Sequence, residues 1–199
     1  MLNKSQTFIL VGRSGCGKGT QLELLRKYLS LKNKDIEIKQ VIMGDIFRSF
    51  FEKSGYVRDI ARDVSMSQGK FQPDFLTNAL LVNDVIDKVD ENSIMFFDGY
   101  PRTIKQLENI KELFVYTKRE NPIVINIEVS RESVKKRMFA RGRGDDSEGA
   151  IESRLNEYDR TIVPMLALIK KDSFFKYIEI EGEGSVEEIH NNLIKTLEL

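Results

Sequence analysis

The sequence predicts an α/β protein in which a five-stranded parallel sheet is flanked by helices. Short apolar runs alternate with longer segments of helical period along the whole chain, and the first run ends in a glycine-rich loop that opens a helix. At 199 residues the chain is long enough for one such core with small appended lobes.

Strands are expected at Thr7–Val11, 36–42, 94–97, 123–129 and 174–180. The first and third are continuously apolar, as suits strands covered on both faces. Between the strands, three buried helical stripes are expected from spacings of three and four. Leu22, Leu25 and Leu29 form the first. Leu76 and Leu80, with Asp84 as a polar break, form the second. Ile151, Leu155, Tyr158, Ile162, Leu166 and Ile169 form the third. Residues 44–73 break the rhythm, with helical pieces but no strand, and read as a lobe over the sheet edge. Residues 141–149 are rich in glycine and charge and read as a loop between two helices. The chain thus divides into a core (1–43, 74–137 and 150–199), a lobe (44–73) and a very short lid (138–149). Lobe and lid are the expected moving parts, because small appendages hold few buried contacts.

Composition narrows the function. Lys+Arg and Asp+Glu both total 31, so net charge points to neither nucleic acid nor a membrane surface. The single cysteine, Cys16, excludes an internal disulfide, and with a single histidine, His190, it argues against a zinc site. No run approaches the roughly 20 apolar residues of a membrane span. The start, residues 1–7, is polar and unlike a signal peptide. A cytoplasmic monomer is the expectation.

Gly12-Arg13-Ser14-Gly15-Cys16-Gly17-Lys18-Gly19-Thr20 lies between the first strand and a helix over 18–30. That is the setting of a phosphate-binding loop. Backbone N–H groups of Gly15, Cys16, Gly17, Gly19 and Thr20 can converge on an anion, the helix N-terminus adds fractional positive charge, and Lys18 adds a full one. Gly19 stands where most such loops carry a metal-binding Ser or Thr. Cys16, beside a helix N-terminus, is either an activated thiol or an inert loop side chain.

Gly17-Lys18-Gly19-Thr20-Gln21 resembles the adenylate kinase family, and further strings extend the resemblance along essentially the whole chain. Asp98-Gly99-Tyr100-Pro101-Arg102 resembles the family's Asp-Gly-Phe-Pro-Arg. It implies that Arg102 grips the acceptor phosphate, that Gln106 addresses the acceptor base, and that Asp98 orients water on a nucleotide-borne Mg²⁺. Gly44-Asp45-Ile46-Phe47-Arg48 resembles a family segment that makes Arg48 a second acceptor-phosphate ligand. Gly69-Lys70-Phe71-Gln72-Pro73-Asp74 resembles Gly-Lys-Leu-Val-Pro-Asp, whose backbone lines the acceptor base. Gly99 belongs to the same wall. Met43 replaces the family's small residue there, while Thr103 and Gln106 favour AMP. A thioether can still pack on a flat base.

Arg137 and Arg141 share a face of the helix opened by Ser130. With Arg143, Asp145, Asp146, Arg154 and Leu155 they resemble the family's lid. That implies Arg137 on the donor adenine, Arg141, Arg143 and Arg154 around the transferring phosphates, and Asp145 and Asp146 pinning the lid through arginines. Asp145-Asp146-Ser147-Glu148 offers a capping box for the next helix. Gly182 and Gly184 resemble the turn beside the donor adenine.

The implied reaction is transfer of the γ-phosphoryl group of Mg·ATP to AMP. A UMP/CMP kinase and a non-catalytic nucleotide-binding regulator are the alternatives. The attacking phosphate oxygen is already anionic, so no general base is needed, and His190, far from every motif, is expected at the surface.

Overall fold

The computed structural model describes residues 5–32, 34–66, 68–142 and 146–199. Five parallel strands, β1 (Thr7–Val11), β2 (Glu37–Ile42), β3 (Ser93–Asp98), β4 (Ile123–Glu128) and β5 (Lys176–Glu181), lie in the order β2-β3-β1-β4-β5. Each forms where its apolar run predicted it, with ends moved by a residue or two. Leu10 of β1 pairs with Asp98 of β3 and with Ile125 of β4, so the carboxyl ends of these strands form one edge. The chain runs outward from β1 to β2, returns through β3 and then crosses to β4. The crevice beyond β1 is therefore the switch point where sheets of this kind bind ligands.

Alternation along β1 feeds two cores. Phe8 and Leu10 point to one face and pack with α1 (Lys18–Lys32), α6 (Arg131–Arg141), α7 (Glu148–Glu157) and α9 (Val186–Thr196). Ile9 and Val11 point to the other and pack with α4 (Asp74–Ile86), α5 (Ile104–Tyr116) and α8 (Val163–Ile169). Both faces being covered explains the apolar strand sequences. Residues 44–73 hold α2 (Met43–Glu52), α3 (Tyr56–Met66) and the turn after them, and no strand is found among the described residues there.

Three local expectations are corrected. The buried stripe of α4 is Leu76, Thr77, Leu81 and Val85. Leu80 and Asp84 are only half-buried, and Asp84 pairs with Lys88 at 2.7 Å. The cap of α7 is Ser147 alone, whose Oγ accepts from the Ala150 N–H at 3.3 Å. The reciprocal box is at Ser185 and Glu188, where it starts α9. His190 is half-buried against Tyr28 rather than at the surface.

The third predicted helix is interrupted. Between α7 and α8 lies a π-helical turn, Tyr158–Ile162, in which the Val163 N–H donates to the Tyr158 carbonyl five residues back. Pro164 supplies the reason: its ring would press on the carbonyl four residues earlier and it has no N–H, so the chain widens there. At the opposite edge of the sheet, Arg119 is 1% exposed. Its guanidinium donates to the carbonyls of Ser5, Asp90 and Ser93 and to the Thr7 hydroxyl, at 2.7–3.1 Å. Burial lowers its pKa.

Candidate active site

The loop after β1 is set by close packing. A side chain at Gly12 would come within 2.6 Å of the Ile127 carbonyl and 2.7 Å of Cys16 Sγ, so only glycine lets the loop lie flat on β4. Cys16 is 1% exposed, which favours the inert reading of its thiol. Lys18 Nζ donates to the Gly12 carbonyl at 2.7 Å and to the Arg13 carbonyl at 3.0 Å. Gly19 and Thr20 are exposed at the first turn of α1, and Gly15 and Gly17 lie at positive φ.

A cavity of about 610 Å³ opens beside this loop at the carboxyl edge of the sheet. It gathers cations from six segments, among them Lys18 of α1, Arg102 of the β3–α5 loop, Arg141 of α6 and Arg154 of α7. Met43, Arg48, Lys70, Phe71, Gly99 and Gln106 line it on the side of α2 and the turn after α3. Arg137, Gly184, Asp98, Gly15, Cys16, Gly17, Gly19 and Thr20 do not line this cavity. Arg143 and Asp145 lie outside the described residues. Thr103 also stays out, because its hydroxyl caps α5, accepting from Gln106 N–H at 3.2 Å and donating to Asp74 at 2.9 Å.

The arginines are held in different ways. Arg102 lies with its guanidinium carbon 4.7 Å from the centre of the Phe71 ring, a cation–π contact. Burial lowers its pKa, Asp98 raises it, and Arg154 lowers it further. The two guanidiniums repel each other, so an anion between them would be favoured. Arg141 grips Asp146 through two donors at 2.7 and 3.0 Å, and Arg154 reaches the same carboxylate at 2.7 Å. The Asp146 side chain is 1% exposed. Burial would raise its pKa, but the two arginines outweigh burial and hold it below the usual carboxylate range. Arg48 is exposed and pairs with Asp45 one turn earlier. Arg137 ties the phosphate loop to the turn after β5, donating to the Gly182 carbonyl at 2.9 Å and the Cys16 carbonyl at 3.4 Å.

Some site residues carry no motif in the sequence. Tyr158 opens the π-helical turn, lines the cavity, and lies 4.7 Å from the Arg13 guanidinium. Arg13 also bonds Glu128 at 2.5 Å and Asp159 at 2.9 Å, which fastens the phosphate loop to that turn. The charged Arg13 inside a glycine loop was the available signal. Tyr100, which replaces the family's Phe, is buried with its hydroxyl between Asn78 (2.8 Å) and Asn109 (2.7 Å). Those two partners absorb the extra polar atom.

Among the described residues no cluster of three or more His, Cys, Asp or Glu could hold a metal. One carboxylate, Asp98, and the loop hydroxyls suit a hard cation that arrives on a polyphosphate and keeps much of its water.

A phosphate loop at the switch point of a parallel sheet, faced by arginines from four other elements, defines a nucleotide phosphotransferase. The family model described as adenylate kinase matches residues 10–174. An adenylate kinase of Leptospira biflexa serovar Patoc is 30% identical over 193 residues, covering 95% of this chain and 98% of its own. One from Azobacteroides pseudotrichonymphae is 32% identical over 95% of both chains, and one from Corynebacterium urealyticum 33% over 91% and 93%. The chain belongs to the adenylate kinase family.

Proposed function

We propose that the chain transfers the γ-phosphoryl group of Mg·ATP to AMP, reversibly, giving two ADP. The observation that carries this reading is the single cavity lined by Lys18, Arg102, Arg141 and Arg154. Residues on its α2 side, including Arg48, form the acceptor half. A molecule that only binds nucleotide has no use for cations on both sides of a transferring group.

In this reading Lys18 exchanges its contacts with the loop carbonyls for the outer phosphates of ATP, and the loop N–H groups hold the inner ones. Arg102 and Arg48 hold the acceptor phosphate. Arg141 and Arg154, oriented by Asp146, neutralise charge spread over the equatorial oxygens in the transition state, with Arg143 joining them. Mg²⁺ carried by ATP would neutralise charge on the phosphates, and Asp98 is the residue that would hold it, through a water. Residues 44–73 and 138–149 close over the substrates to exclude water. A cytoplasmic monomer fits the composition, and no described helix is long and apolar enough to cross a membrane.

The test is a coupled assay of ADP formation from ATP with AMP, CMP, UMP or GMP. Turnover with AMP at least about tenfold above the pyrimidine nucleotides, the scale of one good hydrogen bond, is expected. Preference for CMP and UMP would make the chain a UMP/CMP kinase, and no transfer to any acceptor would make it a regulator.

A further inference from the structure

Arg13 belongs to the phosphate loop, yet its neighbours Gly12 and Ser14 line the cavity and it does not. Its guanidinium reaches other elements instead. It donates to Glu128 at the end of β4 at 2.5 Å, to the Val129 carbonyl at 3.2 Å, and to Asp159 of the π-helical turn at 2.9 Å. The side chain is 15% exposed and lies over the Tyr158 ring.

Further bonds close the circuit. Glu128 also accepts from Asn126 Nδ2 at 3.2 Å, and the Tyr158 hydroxyl donates to Asn126 Oδ1 at 3.4 Å. Asp159 carries the circuit outward: one oxygen meets Arg13, and the other accepts from Arg131, the first residue of α6, at 2.7 Å. Arg131 in turn holds Glu152 and Asn156 of α7. These are the two helices that bring Arg141 and Arg154 to the cavity.

Gly12, Gly15, Gly17 and Gly19 leave the loop little stiffness of its own. A cradle of N–H groups and the cations opposite it act together on a phosphate chain only if the spacing between them is held. An isolated exposed ion pair holds little, but a guanidinium fixed by two carboxylates and a ring has a defined geometry. The Arg13 carbonyl is also one of the two that hold Lys18 Nζ, at 3.0 Å.

We propose that Arg13 is a positioning residue: with Asp159 it holds the phosphate loop at a fixed spacing from α6 and α7, so that the donor's phosphates meet the loop and Arg141 and Arg154 together. This rests on the phosphoryl-transfer reading above. The acceptor side, at α2 and the turn after α3, takes no part in the circuit.

The experiment measures initial rates with ATP and AMP varied for the wild-type chain, Arg13→Ala, Asp159→Ala and the double variant. In Arg13→Ala the kcat/KM for ATP should fall about 30-fold, within the hundredfold that a 1 Å misplacement can cost, while the KM for AMP stays within about twofold. The double variant should be no worse than the worse single one, because the two residues act as a unit. An unchanged kcat/KM for ATP, a KM for AMP that rises with it, or losses that multiply in the double variant would each overturn the proposal. Should Arg13→Ala not fold, Asp159→Asn, which keeps the shape at an exposed position, decides. The kcat/KM for ATP should then fall about fivefold, a part of the same misplacement cost, with the KM for AMP unmoved, and no fall overturns the proposal. A wild-type chain that transfers nothing to AMP would sink the functional reading alone. Calorimetric ATP affinity without acceptor, expected to be about tenfold weaker in Arg13→Ala, would then decide the role of Arg13, with equal affinities against it.

Discussion

Lys18 and Arg102 reach one cavity from separate loops, one after β1 and one after β3. Of the other cations that line it, Arg141 and Arg154 are bound to Asp146 and Arg48 to Asp45. Alanine at either position should lower kcat by about 100-fold or more, the cost of losing one preorganised electrostatic donor. The measurement is turnover with both substrates saturating, and near-native turnover in either variant would remove that residue from the mechanism. Both residues were legible in the sequence, because a short motif fixes them: the glycines before Lys18 and the Asp-Gly-Tyr-Pro string before Arg102. The roles of Tyr158 and Arg119 were not. Tyr158 matters through the turn that presents it. Arg119 reads as an ordinary surface cation until the fold buries it among carbonyls. Those properties arise from packing between distant segments, and local spacing does not encode them.

Among the elements, β1 and β3 were read well because covered strands are apolar almost throughout, whereas the edge strands β2 and β5 mix polar and apolar residues. Helix faces were read less well. In α4 eight of the thirteen positions are apolar, so the stripe through Leu76 and Leu80 and the true one through Leu76, Leu81 and Val85 look alike. Only the neighbouring elements choose between them. The π-helical turn was hidden for a similar reason, since the buried positions of a helix widened by one residue still fall three or four apart. One inter-element contact can be tested directly. Gly69, in the turn after α3, lies at φ +62°, and a Cβ there would come within 2.5 Å of the Ala150 carbonyl in α7. Gly142, after α6, lies at φ +58° with nothing within 4 Å. Alanine at either position incurs the left-handed backbone cost of about 1–2 kcal/mol. Gly69→Ala must also push the turn away from α7, and is expected to lose at least about 1 kcal/mol more, within the usual range for overpacking. Chemical denaturation of the two variants measures the difference. Equal losses would mean that the turn after α3 is not held against α7.

For the molecule as a whole, pH dependence isolates one group, because His190 is the chain's single histidine. It is half-buried on α9, its Nδ1 is inside the protein without a hydrogen-bond partner, and the Tyr28 ring stands edge-on at 6.2 Å. Burial lowers its pKa below the ordinary value. The folded state therefore binds this proton less readily than the unfolded chain, whose histidine titrates near pH 6.5. Stability is full above that pH and is lost as pH falls through about 6.5 toward the folded pKa. The depressed carboxylates, Asp146 among them, act in a separate window: their contribution is present above about pH 4 and is lost below it. Between pH 7.5 and 5.5 the melting temperature of the wild-type chain should thus decline, whereas that of His190→Phe, which keeps the ring against Tyr28, should stay level. Parallel declines in both proteins would assign the slope to other groups. Turnover should be indifferent to this substitution, since His190 does not line the cavity and phosphoryl transfer to an anionic acceptor asks for no proton from histidine.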